Sequence, residues 1–315
     1  MRRVHLGRSG LVVSKVGLGC NNFGMRLDVG QTRAVIDAAL DAGVTLLDTA
    51  DTYGGQGGSE EQLGEVLKGR RDQVVLATKL GMPMQGKNGD DFGARGSRRY
   101  VRTAIEASLR RLQTDHVDLY QLHTPDPSTP FEETYDALVE LVREGKVRYL
   151  GHSNFAGWQI AEAEWLSRVH GWPRFVSAQN HYSLLERDVE REVVPACEAY
   201  GVGMLPFYPL ANGLLTGKVT RAGGAPEGSR LSVRAGYVTD AKLDVVEALT
   251  AWADTIGRSL LEVAIAGLGA QPAVGSVIAG ATSPEQVRAN VAAGEWEPTA
   301  DELAALDEIA PAKRP

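Results

Sequence analysis

The chain has 315 residues, 43% of them apolar and 23% charged, with a formal net charge of −7. Such a length supports a large buried core, in two domains or in one α/β barrel, and the acidic balance argues against nucleic acid as a partner. Two cysteines, Cys20 and Cys197, make neither a disulfide framework nor a zinc set, the N-terminal apolar stretches are too broken for a signal peptide, and no run is long enough to span a bilayer; a reduced, cytoplasmic protein with no membrane partner is expected.

In chain order, residues 4–6 and 11–13 flank the turn GRSG and predict a β-hairpin ahead of the main fold, a lid on its N-terminal end. Short apolar runs then alternate with amphipathic ones: VSKVGLGC and TRAVIDAALDAG, VTLLDTA and EEQLGEVLKG, QVVLATK and RRYVRTAIEASLRRL. VDLYQLH and FEETYDALVELVREG follow, then KVRYLGHSN and WQIAEAEWLSRV, FVSAQNHY and ERDVEREVVPACEAYG, and VGMLPFYPL. After a Gly-rich loop over 222–236 come two further helices, 241–256 and 260–270, and the eighth strand, AVGSVIAG. Eight strand-helix units predict parallel strands closed into a (β/α)₈ (TIM) barrel with extra helices near the C-terminus, one domain over 1–315. The first turn, GLGCNNFG, lacks the G-x-G-x-x-G spacing of an open dinucleotide-binding sheet.

The polar residues that interrupt these strands fall at their C-terminal ends: Asp48, Lys79 and His123, with Tyr53 one short loop after Asp48. In such a barrel those ends share one mouth, where active sites form. Singly, each has an ordinary reading as a turn former, a solvated charge, a structural imidazole or a packing aromatic. Together they make a proton relay. A phenol of pKa about 10 is a weak acid near neutrality; a buried ammonium beside it lowers that pKa, and a carboxylate keeps the ammonium charged. An imidazole opposite would hydrogen-bond a carbonyl oxygen as charge develops on it.

LLDTADTYGG, VVLATK, LYQLHTPD, LGHSNF, SAQNHYSLLERD, PFYPLANGLLTGK and SVIAGATSPEQVRAN, in that order and over nearly the whole chain, resemble the successive motifs of the aldo-keto reductase superfamily. The resemblance implies a catalytic tetrad at Asp48, Tyr53, Lys79 and His123, and an NAD(P)H-dependent oxidoreductase acting on the CH–OH/carbonyl couple of a small-molecule substrate. It further implies cofactor contacts at Gly19, Cys20 and Asn21, and contacts to the nicotinamide carboxamide from Ser153, Asn154 and Gln179; a helix N-cap is the competing reading of Ser153–Asn154. Phe207 or Tyr208 would stack on the nicotinamide, and Pro209, Leu210, Gly213, Leu214 and Lys218 would follow the pyrophosphate. Gly280, Thr282, Gln286 and Asn290 would hold the adenosine end, with Thr282 or Arg288 near a 2′-phosphate. NADPH is favoured over NADH, although Gly280 and Ala289 replace a basic and an acidic residue common in the family. Asn21, Asn22 and Phe23 stand after the first strand where many members carry a Trp, and Phe23 joins Tyr53 and His123 as a substrate contact.

Independently of any family, Ser283, Pro284 and Gln286 predict a helix start with a capping box after the eighth strand, an anion site in many barrels. GMPMQGK, residues 81–87, satisfies the spacing of a phosphate-binding loop, but Asn88 follows where Ser or Thr is required, so a flexible substrate loop is the better reading. The short tail PAKRP predicts an open pocket and varied aldehydes as substrates. The same resemblance includes channel-associated subunits that bind cofactor and turn over slowly, which makes a regulatory or sensor role the alternative. Self-association into a homo-oligomer is compatible with this reading and marked by no motif.

Overall fold

A hairpin of β1 (Arg3–His5) and β2 (Val12–Ser14) opens the chain, paired antiparallel from Arg3↔Ser14 to His5↔Val12. The ladder lies one residue outward of the expected one because Leu6 and Leu11 leave it, joined by Leu6 N–H to Leu11 O at 2.8 Å. Both side chains turn instead into an apolar cluster with Val13, Leu46, Ala77, Leu119, Val176, Leu205 and Ile278. Leu6 fits there because Gly203 and Gly275 face it: a Cβ on either would stand 2.7 Å from Leu6 Cδ1. The computed structural model describes residues 1–221, 223–224, 231 and 235–312.

Eight parallel strands follow: β3 (Val16–Gly19), β4 (Leu46–Asp48), β5 (Val75–Leu80), β6 (Val117–Leu122), β7 (Val147–Ser153), β8 (Phe175–Gln179), β9 (Gly203–Met204) and β10 (Val277–Gly280). Their order is β10-β3-β4-β5-β6-β7-β8-β9. Backbone bonds from Met204 N to Ala273 O, Gly275 N to Met204 O and Ile278 N to Pro206 O, at 2.7, 2.9 and 3.2 Å, join the two ends of that order. The fold is the expected α/β barrel. β9 is far shorter than VGMLPFYPL suggests, since Pro206 and Pro209 have no N–H to give a ladder.

Helices α1 (Val29–Asp41), α2 (Tyr53–Val66), α3 (Arg98–Leu112), α4 (Phe131–Arg143), α5 (Gly157–His170) and α6 (Val193–Tyr200) alternate with the strands. α3 shows why they form. Ser97 caps its N-terminus, Tyr100, Val101, Ala104, Ile105, Ser108 and Leu112 recur at helical spacing on the buried face, and Arg110 and Arg111 complement the dipole of the last turn. α7 (Asp240–Thr255) is capped by Thr239, and α8 (Leu260–Glu262) runs into a π-helical turn at Val263–Gly267. α9 (Pro284–Ala293) and α10 (Ala300–Ile309) complete the chain. α7 and α10 share a second apolar cluster with Leu184, Leu214 and Trp296. Most of the Gly-rich stretch 222–236 and the last three residues of the tail lie outside the described residues. Among the described residues no helix is long and apolar enough to cross a membrane.

Candidate active site

The strands that carry apolar side chains into the floor of the barrel carry polar ones two residues later. Leu46 is followed by Asp48, Ala77 by Lys79, and Leu119 by Gln121; Lys79 pairs with Gln121 across β5 and β6, and Asp48 stands opposite Ala77 across β4 and β5. Side chains two apart share a face of the sheet, so one turn of alternation separates a dry layer from a charged one.

At the centre of the charged layer Lys79 is fully buried, and its Nζ donates to Asp48 Oδ2 at 2.7 Å, to Thr49 O at 2.8 Å and to Tyr53 Oη at 3.3 Å. Burial works against the Lys79 ammonium, but Asp48 and Tyr53 outweigh it and hold its pKa above the ordinary lysine value. Asp48 Oδ1 accepts from Gln179 Nε2 at 2.9 Å and Gln121 Nε2 at 3.1 Å, so both carboxylate oxygens are satisfied. Gly151 makes room for this: a Cβ there would stand 2.2 Å from Ser177 Oγ and 2.8 Å from Gln121 Cγ.

Tyr53 is placed by the loop that follows β4. Thr49 N–H and Asp51 N–H bond to Ala77 O and Lys79 O, and the chain then turns through Gly54, Gly55, Gln56 and Gly57 at positive φ. A side chain at Gly54 would meet Ser59 N at 2.4 Å and Phe23 O at 2.5 Å, so the turn requires glycine. The expected lowering of the phenol's pKa is reversed in sign. Burial raises it above the usual value, and the Lys79 charge recovers only part of that. The phenol therefore stays protonated, as a proton donor must, and Lys79 stands where it favours the phenolate once the proton has left.

His123 follows β6, its ring edge-on to Tyr53 with centroids 5.8 Å apart and planes at 83°. Burial, and secondarily Lys79, push its pKa down to about 3, so the imidazole is neutral near pH 7. Its Nδ1 is buried without a hydrogen-bond partner. The structure thus brings Asp48, Tyr53, Lys79 and His123 to one place.

The other expected contacts divide. Ser153 is buried and Asn154 exposed; Asn154 Nδ2 donates to His123 O at 2.9 Å and Ser153 Oγ at 3.1 Å, and Asn154 adopts φ 59°. The N-cap reading of this pair fails, because α5 is capped at Ala156. Gln179 is buried with its Nε2 donating to Asp48 Oδ1. Phe207 lies parallel to His181 at 5.4 Å, and Tyr208, at φ 53°, stands edge-on to Phe207 at 5.2 Å and close enough to Tyr53 to oppose its ionisation. Leu210, Gly213 and Lys218 are accessible, whereas Pro209 is buried and the Leu214 side chain belongs to the second apolar cluster. Gly280 is exposed at the end of β10 beside Asn21 and Asn22, and Asn290 Nδ2 reaches Gly280 O at 3.4 Å.

Three expectations need correction. Phe23 is fully buried in the core and bridged to Leu27, so its ring does not line the mouth. Beyond Gly19, which ends β3, the Cys20 side chain is buried too, its thiol pushed well up by burial and its backbone N and O engaged by Asp48 and Ser59. The capping box at α9 closes differently: Ser283 Oγ accepts from Gln286 N, but Gln286 Oε1 reaches past the cap to Thr282 N at 2.8 Å and Thr282 Oγ1 at 3.1 Å.

Sequence reasoning missed a second polar chain behind the mouth. Asn88 Nδ2 donates to Asp51 Oδ2 at 2.8 Å, Arg111 Nη2 to Asn88 Oδ1 at 2.9 Å and Arg111 Nε to Glu60 Oε2 at 2.7 Å. Burial, then the nearby Glu60, push the Asp51 carboxyl up to about 8. The 81–87 segment is thus no phosphate loop: Lys87 is exposed, no helix begins between it and Arg98, and buried Asn88 pins the loop. Its flexibility, expected from composition, is curtailed by that anchor and by Arg95 Nε on Gly81 O at 2.9 Å.

The mouth fits a nicotinamide dinucleotide on its own chemistry. It offers half-buried rings beside the phenol, an accessible amide at Asn154 and a side-chain-free path over Gly280 to the start of α9. The model of the aldo/keto reductase family matches residues 15–311. The chain belongs to the aldo/keto reductase family. It is 38% identical to an uncharacterized oxidoreductase, YrpG, of Bacillus subtilis (strain 168), over 99% of this chain and 96% of that one. A probable voltage-gated potassium channel subunit beta of Oryza sativa subsp. japonica is 37% identical, over 93% and 91%. A versiconal hemiacetal acetate reductase of Aspergillus parasiticus is 33% identical, over 98% and 96%. Membership makes this protein an oxidoreductase of the carbonyl-reducing kind, in a family that uses nicotinamide cofactors.

Proposed function

We propose that this chain reduces aldehydes and ketones to alcohols with NADPH in preference to NADH, Tyr53 donating the proton. The observation that carries this reading is the buried Lys79 ammonium held between the Asp48 carboxylate and the Tyr53 phenol. When bound, the reduced nicotinamide supplies hydride to the carbonyl carbon. His123, neutral and with its ring against Tyr53, would orient the carbonyl oxygen. Tyr53 Oη would protonate that oxygen while Lys79 steadies the phenolate left behind and Asp48 keeps the lysine charged. Gln121 and Gln179 would fix the Asp48 carboxylate so that Lys79 holds one position.

Ser153, Asn154 and Gln179 would hold the carboxamide, Phe207 or Tyr208 the ring face, Leu210, Gly213 and Lys218 the pyrophosphate, and Gly280, Thr282, Gln286 and Asn290 the adenosine. The preference for NADPH rests on Thr282 and on Arg288, whose exposed guanidinium pairs, among the described residues, only with Glu285 across one turn of α9. Titration with NADPH and separately with NADH, followed by quenching of tryptophan fluorescence, tests the cofactor. Micromolar binding, tighter for NADPH, is expected, and binding of neither would sink the reading. Turnover across a panel of aldehydes, aromatic ones included, tests the chemistry. Bound cofactor with negligible turnover of every aldehyde would favour the regulatory reading, to which the likeness to the rice channel subunit lends support.

A further inference from the structure

The closed end of the barrel holds a buried lysine that the active site does not use. The pairing of Arg3 with Ser14 continues one step outward, where Lys15 N–H bonds to Arg2 O at 2.9 Å, so Arg2 and Lys15 stand directly opposite each other. Cross-strand partners project from the same face, and like charges so placed repel. Lys15 is only 9% exposed. Among the described residues its Nζ donates to Val274 O alone, at 2.7 Å, and no carboxylate lies within ion-pair reach of it. Gly269 makes room for the stem, since a Cβ there would stand 3.4 Å from Lys15 Cε. Lysines are rarely buried so deeply without an acidic partner. Lys79 gives the contrast: Asp48 beside it holds its pKa up, whereas burial, and then Arg2, push Lys15 down to about 8.

Lys15 borders a hollow of about 400 Å³, a size usual for small-molecule sites. Its walls are apolar at Val16, Ile265, Val277 and Trp296, and among the described residues Arg2 and Glu297 are the other charged groups on it. Arg2 Nη1 is paired with Glu297, so the Glu297 charge is already matched and the Lys15 charge is not. The Met1 ammonium, on Glu295 at 3.3 Å, lies off this lining. We propose that the hollow is a second binding site, for a small organic carboxylate. The head group would take the remaining N–H donors of Lys15 and those of Arg2 not spent on Glu297, and the apolar body would lie against Trp296 and Ile265. One negative charge there turns the repulsion between two cations into two attractions. A single charge on an apolar body matches these walls better than a phosphate does, since only one cation lacks a partner. Val16 and Val277 begin β3 and β10, so the hollow lies at the opposite end of those strands from the Tyr53 mouth and does not rest on the function proposed for it.

Calorimetric titration of the full chain with benzoate at pH 7 is the test, with benzamide as its uncharged counterpart. Saturable benzoate binding with a dissociation constant on the order of 1 mM is expected, and none of benzamide. Lys15→Met should weaken benzoate at least about 10-fold, the loss of a charge-assisted contact, and Lys15→Arg should retain it. From pH 7 to pH 9 the wild-type affinity should fall about 10-fold as Lys15 loses its proton, while that of Lys15→Arg holds. Melting temperatures near the wild-type value confirm that the variants are folded. Benzoate bound at the Tyr53 mouth instead would be indifferent to Lys15→Met. That indifference in a folded chain, no saturable binding, equal binding of benzamide, tighter binding of inorganic phosphate, or the same pH dependence in Lys15→Arg would overturn the proposal.

Discussion

The lumen of this barrel has two ends built from the same strands by opposite means. At the N-terminal end Leu46, Ala77, Leu119, Leu205 and Ile278 close on the hairpin residues Leu6, Leu11 and Val13, with no charge among them. Two residues further along their strands, Asp48, Lys79 and Gln121, joined by Gln179 from β8, line the mouth side with charges and amides, each tied to another. Burial stabilises the first end directly. At the second, burial is tolerated only because the ion pair is fully hydrogen-bonded, and the same desolvation makes the Lys79 and Tyr53 protons responsive to one another. The floor holds the fold and the mouth does chemistry, and the two differ by one step of strand alternation.

The sharpest way to break that division is Lys79→Met. It leaves Asp48 buried with an unpaired oxygen, so turnover should fall about 10²- to 10⁴-fold, with a stability cost of about 3–5 kcal/mol. Without the cation the Tyr53 pKa rises further, and the alkaline limb of any residual activity should move to higher pH. An unmoved limb would separate Lys79 from the phenol. Leu119→Ala sharpens the contrast from the other end: a loss of about 2–5 kcal/mol in chemical denaturation with kcat/KM little changed. A large loss of kcat in a folded Leu119→Ala chain would mean that the two layers do not act separately.

Asp51 tests the border between them with a smaller effect. Its carboxyl keeps a proton up to about pH 8, whereas in the unfolded chain an Asp ionises near pH 4. Between those values the folded state binds the extra proton, so the stability this group contributes is complete below about pH 4 and is lost as pH rises towards about 8. Asp51→Asn, neutral throughout, should show a shallower fall in melting temperature from pH 5 to 8.5. Parallel curves for the two proteins would refute a protonated Asp51.

Much of this arrangement was legible in the chain because strand alternation and strand-end position are local properties. VTLLD, QVVLATK and VDLYQLH place Asp48, Lys79 and His123 at strand ends by pattern alone. Gln121 carried the same signal, a lumen-facing amide two residues after Leu119, and was passed over because it sits inside the strand instead of at its end. Asp51, Asn88, Glu60 and Arg111 meet from four separate segments, and no spacing along the chain encodes such a meeting. Phe23 was misplaced for a related reason. Its ring joins a core assembled from distant strands and helices, a neighbourhood set by the packed fold. The sign of the Tyr53 shift likewise depends on the depth of burial, which sequence does not measure.

The most direct test is Tyr53→Phe, with NADPH binding and aldehyde-dependent NADPH oxidation measured on the same preparation. Removal of the hydroxyl alone should leave cofactor affinity nearly unchanged while turnover falls about 10²- to 10⁴-fold, the span expected for loss of a positioned proton donor. Turnover retained at the wild-type level would contradict the assignment of Tyr53 and, with it, the role given to the charged end of the barrel.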